Sequence, residues 1–158
     1  MPMSLETARP NLEAFGFADR VMTFANSSAT VELAAQCVGC KPAQIAKTLS
    51  FRAEEGAMLV VAAGDAKIDN SKFKALFHRK AAMLNHDEVY DLLGLRVGGV
   101  CPFGVNVPVY LDVSLKRFDI VYPAAGDDHS AVRLTPEELA TASRALGWVD
   151  VCKGWQEE

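Results

Sequence analysis

The sequence predicts an α+β fold: a single mixed α/β domain with a largely antiparallel or mixed central sheet surrounded by helices. Three observations predict it. Ile45–Arg52 alternates, and the short link Glu54-Glu55-Gly56 joins it to a wholly apolar run, Ala57–Ala63, which makes a hairpin in the middle of the chain. Capped helical patterns flank this hairpin on both sides. Strands and helices do not follow the strict alternation of a parallel βαβ protein. The chain has 158 residues, half of them hydrophobic, which is one domain's worth and enough for a core. The domain is expected to span 1–158, with its core at about 20–150.

The elements follow in order. Leu5–Phe15 reads as a helix, with Pro10 an awkward residue in its middle. Arg20–Phe24 is a short strand. Thr30 caps a helix that carries Val31, Ala34, Ala35 and Val38 on one face and ends at Gly39. After the hairpin, Gly64-Asp65 turns, and Asp69-Asn70-Ser71 caps a helix over 72–78 with Phe73, Leu76 and Phe77 as its buried stripe. Ala81–Leu84 is a candidate strand. Asn85 and Glu88 form a capping box for a helix that runs to Leu93 and stops at Gly94.

A loop with three glycines and a proline in seven residues follows, Gly98–Gly104, and feeds a strand over Val107–Asp112. Ser114–Arg117 is a polar link. Phe118–Ala124 is a strand, 125–128 a turn, and Ala131–Leu134 a short strand. Thr135-Pro-Glu-Glu138 starts a helix that carries Leu139, Ala142, Ala145 and Leu146 and stops at Gly147. Trp148–Cys152 is a last strand.

Composition excludes several functions. A net charge of −4 argues against a general nucleic-acid binder, and sequence-specific DNA binding is not expected. No apolar run reaches membrane-spanning length, and the first residues lack a signal peptide's pattern, so a cytoplasmic protein without membrane contact is expected. There is no P-loop, dinucleotide-binding glycine fingerprint, His-Glu-x-x-His motif or nucleophile elbow.

Two features could carry chemistry. Gly98–Gly104 can hold backbone N–H groups in a fixed direction, as a carbonyl or anion cradle requires; the alternative is a tight turn before a strand. Lys47 falls in phase with Ile45, Leu49 and Phe51. Either it reaches a cleft from the apolar face, or it snorkels to water at a strand edge.

The other candidates are weaker. Cys37 and Cys40 have redox or half-zinc spacing, but no second pair accompanies them and the histidines lack ligand spacing. They read as the end of a helix, and neither metal nor cofactor is expected. Cys101 as a nucleophile would need a base that nothing in the sequence ties to it. Lys72, Lys74, Arg79 and Lys80 lie in the most basic stretch; they suit a phosphate backbone or simply a solvated helix face.

Taken together, Ile-Ala-Lys-Thr-Leu at 45–49, Ala-Gly-Asp at 63–65, Ile-Asp-Asn at 68–70, Val-Gly-Gly-Val-Cys-Pro-Phe-Gly at 97–104, Val-Pro-Val-Tyr-Leu-Asp at 107–112 and Ala-Ala-Gly at 124–126 closely resemble the YbaK/aminoacyl-tRNA deacylase family. These are stand-alone relatives of the editing domain of bacterial prolyl-tRNA synthetase, and the resemblance covers about residues 20–150. It implies hydrolysis of the ester of a mischarged aminoacyl-tRNA, most often tRNA for proline, without metal or other cofactor. The implied partners are the acceptor end of that tRNA and prolyl-tRNA synthetase.

The resemblance also assigns residues. It places the family's lysine at Lys47. It places substrate-holding backbone at Gly98, Gly99, Val100, Cys101, Pro102, Phe103 and Gly104, and at Gly126. Lys72, Lys74, Arg79 and Lys80 are then candidate tRNA contacts. Members that clear cysteine carry a serine and an aspartate where this chain has Ala124 and Ala131 or a neighbour. The cleared residue is thus left as alanine, serine, threonine or another small one. A non-catalytic tRNA- or nucleic-acid-binding module attached to a synthetase is the alternative.

Overall fold

The computed structural model describes residues 5–54, 56–93 and 100–155. Its centre is the expected hairpin, β2 (Ile45–Ala53) and β3 (Gly56–Ala63), paired antiparallel from Ala46↔Ala63 to Ala53↔Gly56. From Ala57 on, every residue of β3 is buried, as a strand covered on both faces must be. β5 (Val109–Asp112) lies beside β3, β6 (Tyr122–Pro123) beside β2, and β8 (Gly147–Val149) beside β5. The sheet order is β6-β2-β3-β5-β8. The sheet is therefore mixed: one long antiparallel hairpin, with parallel neighbours on both sides. Two small ladders stand apart from it. β1 (Val21–Thr23) pairs with β7 (Ser130–Val132), and β4 (Lys67–Ile68) pairs with β9 (Cys152–Lys153).

Among the described residues five helices pack around the strands. In α1 (Leu5–Ala14) the helix passes through Pro10, which is exposed, so the carbonyl that loses its intrahelical partner can face water. α2 (Val31–Val38) starts where Thr30 accepts from the Leu33 N–H at 3.1 Å and ends at Gly39, whose φ is 83°. α3 (Asn70–Phe77) is capped by Asp69, which accepts from the N–H groups of Ser71 and Lys72. α4 (His86–Leu93) has the predicted reciprocal box between Asn85 and Glu88, at 2.9 and 3.0 Å. α5 (Pro136–Ser143) has the same box between Thr135 and Glu138.

Several boundaries differ from those the sequence suggests. Ala81–Leu84 forms only an isolated bridge, Met83 to Phe51, because it meets β2 where that strand is ending. Only Tyr122 and Pro123 of 118–124 pair as a strand, and 113–117 winds into a 3-10 turn. α5 stops at Arg144 in the left-handed region, before Gly147, so Ala145 and Leu146 leave its face. Gly94 lies outside the described residues.

The aromatic spine of the core runs Phe51, Phe73, Phe77 and Tyr110, with successive ring centroids 4.8–5.0 Å apart. One glycine is fixed by space. A Cβ on Gly64 would lie 2.1 Å from the Pro42 carbonyl oxygen and 2.7 Å from Val31 Cγ1. The first of these is backbone and cannot rotate away. Gly64→Ala is expected to cost about 2 kcal/mol or more through overpacking. A thermal melt unchanged from the parent chain would refute this.

Candidate functional site

β2 is paired along its outer edge at both ends. Ile45 and Ala46 meet β6, and Phe51 bridges to Met83. Between these contacts the strand opens onto a cleft of about 400 Å³. The 26–30 loop and α2 form one wall, through Ser28, Ala29, Val31 and Ala34. Ala124, Ser130 and Ala131 form another, while Met83, Leu84 and Val89 close the far end. Most lining side chains are apolar, with alanine and valine the commonest of them. Among the described lining residues only Lys47 has an ionisable head that is basic, and none is a carboxylate.

Lys47 is held as the alternation implies for a lysine on the apolar face. Its Nζ donates to the Gly64 carbonyl at 3.3 Å and to the Ala66 carbonyl. An ammonium has three N–H donors, so one remains without a partner among the described residues. Burial pushes its pKa below the usual lysine value; Asp65 and Glu32 pull it back up, and Lys67 adds to the lowering.

The turn that cradles this lysine is itself fixed. Asp65 takes a two-pronged pair from Arg117, at 2.5 and 3.0 Å. Arg117 in turn lies over the rings of Phe118 and Trp155. The Ala63 N–H donates to Ser114 Oγ at 3.1 Å. The carbonyls that grip Lys47 therefore rest on the 113–117 turn behind them.

Not all the other candidate residues reach the cleft. Val100 lines it. Cys101, Pro102 and Phe103 are buried, and Gly104 is exposed with φ 73°. Gly126 is buried with φ 111°, in the turn between Ala124 and Ser130 of one wall. Gly98 and Gly99 lie outside the described residues. Burial pushes the Cys101 thiol up to about 12, and its Sγ donates to the Phe103 carbonyl at 3.8 Å. It packs as a core residue, and as a thiol of that acidity it is a poor nucleophile.

Cys37 ends α2 with its thiol toward the carbonyls of Asn26 and Ser27. Among the described residues no group of three or more His, Cys, Asp or Glu side chains could hold a metal ion. Lys72 is engaged, donating to Asp150 and to the Cys152 carbonyl, each at 3.1 Å; the pair with Asp150 raises its pKa. Lys74 and Lys80 are exposed and Arg79 half-buried, and none of the four lines the cleft. No helix among the described residues is long and apolar enough to cross a membrane.

Sequence reasoning did not single out the hydroxyl groups of the lining: Ser28, Thr30, Thr48, Ser50, Tyr122 and Ser130. A signal existed for two of them. Thr48 and Ser50 make one face of β2 polar beside the apolar face that carries Lys47. Ser28 and Ser130 come from loops, where serine is common and carries no phase. Ala124 and Ala131 both line the cleft.

Comparison with known proteins agrees with this geometry. The family model of the aminoacyl-tRNA editing domain matches residues 25–142. An uncharacterized protein of Bacillus subtilis, YwhH, is 50% identical over 157 residues, covering 98% of this chain and all of that one. A proline–tRNA ligase of Thermotoga maritima is 31% identical over 88 residues, which are 55% of this chain and 15% of the ligase. The crystal structure of a candidate trans-editing enzyme for prolyl tRNA synthetase superposes with a TM-score of 0.85 at 33% identity, covering 95% of this chain and 97% of that one.

Proposed function

The chain belongs to the aminoacyl-tRNA editing domain family, and from that premise we propose that it is a trans-acting deacylase: it hydrolyses the ester of a mischarged aminoacyl-tRNA, tRNA for proline carrying a small non-cognate amino acid. Water adds to the ester carbonyl and the bond to the terminal ribose oxygen breaks. A free amino acid and a free ribose hydroxyl result.

The observation that carries this reading is the cleft itself. Among the described residues its lining holds no carboxylate, and it has one lysine gripped by two carbonyls with a donor to spare. In this reading Lys47 orients the aminoacyl end. The backbone of the 98–104 loop meets the carbonyl oxygen as negative charge develops there. A neighbouring ribose hydroxyl takes part in activating the water, since no carboxylate or histidine among the described residues lines the cleft. An aminoacyl ester is already reactive, and a single well-aimed donor can supply about 3 kcal/mol. The likeness to a segment of proline–tRNA ligase supports the choice of tRNA, with prolyl-tRNA synthetase as partner.

The test is a deacylation panel. tRNA for proline is charged with alanine, serine, threonine, cysteine or proline, and ester loss is followed with and without the protein. Accelerated loss of a small non-cognate residue, with prolyl-tRNA spared, is expected. Loss no faster than the control for every ester would overturn the hydrolase reading.

A further inference from the structure

The outer edge of β2 can be followed bond by bond. In an extended strand each residue turns its own N–H and C=O to one edge, and successive residues alternate edges. The Arg52 N–H donates to the Ala82 carbonyl at 2.8 Å, and the Ser50 carbonyl accepts from the Leu84 N–H at 3.1 Å. The main-chain groups of even-numbered residues in β2 therefore point away from β3. Ala46 lies in register with Pro123 of β6. Thr48 stands between these two contacts. It is opposite Val61 in the hairpin, in a pair of the kind that exchanges no hydrogen bonds. Its main-chain N–H and C=O thus face the outer edge, with no partner among the described residues.

The gap in the ladder is one residue long. From Ala46 to Ser50 the strand runs about 13 Å, with β6 at one end and the 82–84 segment at the other. Thr48 lines the cleft here, beside Lys47. An unpaired edge N–H and C=O are a template for a partner that offers one acceptor and one donor in the same arrangement. Between antiparallel strands, two residues meet this need by exchanging both N–H···O bonds. An α-aminoacyl ester carries the same pattern. Its amino group donates, its carbonyl oxygen accepts, and both flank one Cα as they do in a strand residue.

We propose that the main chain of Thr48 acts in the deacylation: its N–H donates to the ester carbonyl oxygen, and its C=O accepts from the substrate's α-amino group. The proposal rests on the deacylase reading and assigns it a donor on the strand side of the cleft. A carbonyl oxygen has two lone pairs, so it can take this N–H together with a second donor. When water adds, that oxygen becomes an alkoxide and the bond strengthens. The hairpin holds the N–H in place, so it needs no reorganisation as the charge develops. The contact is the same whatever side chain the acyl group carries.

The first test removes the N–H alone. Thr48 is replaced by its α-hydroxy acid through stop-codon suppression, which exchanges the N–H for an ester oxygen and keeps the side chain. For the ester cleared fastest in the charged-tRNA panel, kcat/KM should fall by about 100-fold, as when a single oxyanion donor is removed, with KM changed less than kcat. The thermal melt should stay close to the parent's, because the lost N–H has no partner among the described residues. The second test needs neither the variant nor turnover. In amide hydrogen exchange, Thr48 should exchange faster than Lys47 and Leu49, whose main chains pair with β3. A saturating alanyl amide of 3′-amino-3′-deoxyadenosine, which resists hydrolysis, should slow the Thr48 amide by about tenfold or more.

A folded variant with kcat/KM within about twofold of the parent would overturn the proposal. So would a Thr48 amide that exchanges at one rate with and without the analogue, failure of the analogue to bind included. Should the variant not fold, the exchange readout decides alone. Where the charged-tRNA panel shows hydrolysis, such a result removes only the role of Thr48. Where the panel shows none, the deacylase reading itself has failed.

Discussion

Lys47→Ala is expected to lower kcat/KM for ester hydrolysis by about 100-fold or more while the protein stays folded. The size of the effect follows from what the side chain is placed to do. Its ammonium is held by the Gly64 and Ala66 carbonyls, and its third N–H has no partner among the described residues. A donor that is already oriented and partly desolvated contributes more to a transition state than one in water, on the order of 2.7–4 kcal/mol where single donors have been removed from such sites.

Stability should change much less. Removing the lysine relieves the cost of burying a charge, but it leaves two carbonyls without their donor; these effects oppose each other to within about 2 kcal/mol. Lys47→Met, of similar length, separates packing from chemistry. Single-turnover hydrolysis and thermal melts of both variants provide the check. Full activity in either would remove Lys47 from the mechanism.

Asp112→Ala is expected to produce the largest loss of stability in the molecule, about 3–5 kcal/mol. Asp112 ends β5 with no exposed surface, accepting from the Ser114 and Val151 N–H groups, both at 2.9 Å. The Cys152 thiol, pushed up to about 12 chiefly by burial, also faces this carboxylate. Truncation would leave two buried N–H donors unpaired on two different segments, and hydrogen bonds to a charged acceptor contribute about 1.5–3 kcal/mol each. For a chain of this size that is roughly a third of the usual total stability and a fall of about 10 °C in Tm. A variant melting within about 2 °C of the parent would show that the carboxylate is not an anchor.

Much of this could be read from the residues because it depends on local physics. The alternation at 45–52 and the apolar run at 57–63 specify the hairpin. The caps at Thr30, Asp69, Asn85 and Thr135 place four helix starts to within two residues. The alternation also put Lys47 on the side from which it reaches its cradle. What could not be read depends on distant pairing. β5 is short and could have joined either edge; its parallel place beside β3 is set by the packing of Val109 and Leu111, both buried. Phe118–Ala124 looks like a long strand, but only the part beside Ile45 and Ala46 finds a partner. The cleft's hydroxyls were hidden for the same reason. Ser28 becomes a wall residue only when Asp128 fixes its loop, and no pattern in the sequence links those two positions.

The parity of β2 has a consequence for length variation in this chain. Lys47 and Thr48 serve opposite faces of one strand whose register is fixed from Ala46 to Ala53. Adding or deleting one residue within that span would exchange the two faces, turning the lysine toward the hydroxyl side and an apolar side chain toward the Gly64 and Ala66 carbonyls. A library of single-codon insertions should therefore be silent at the exposed Asn106 and uniformly inactivating from Ile45 to Leu49.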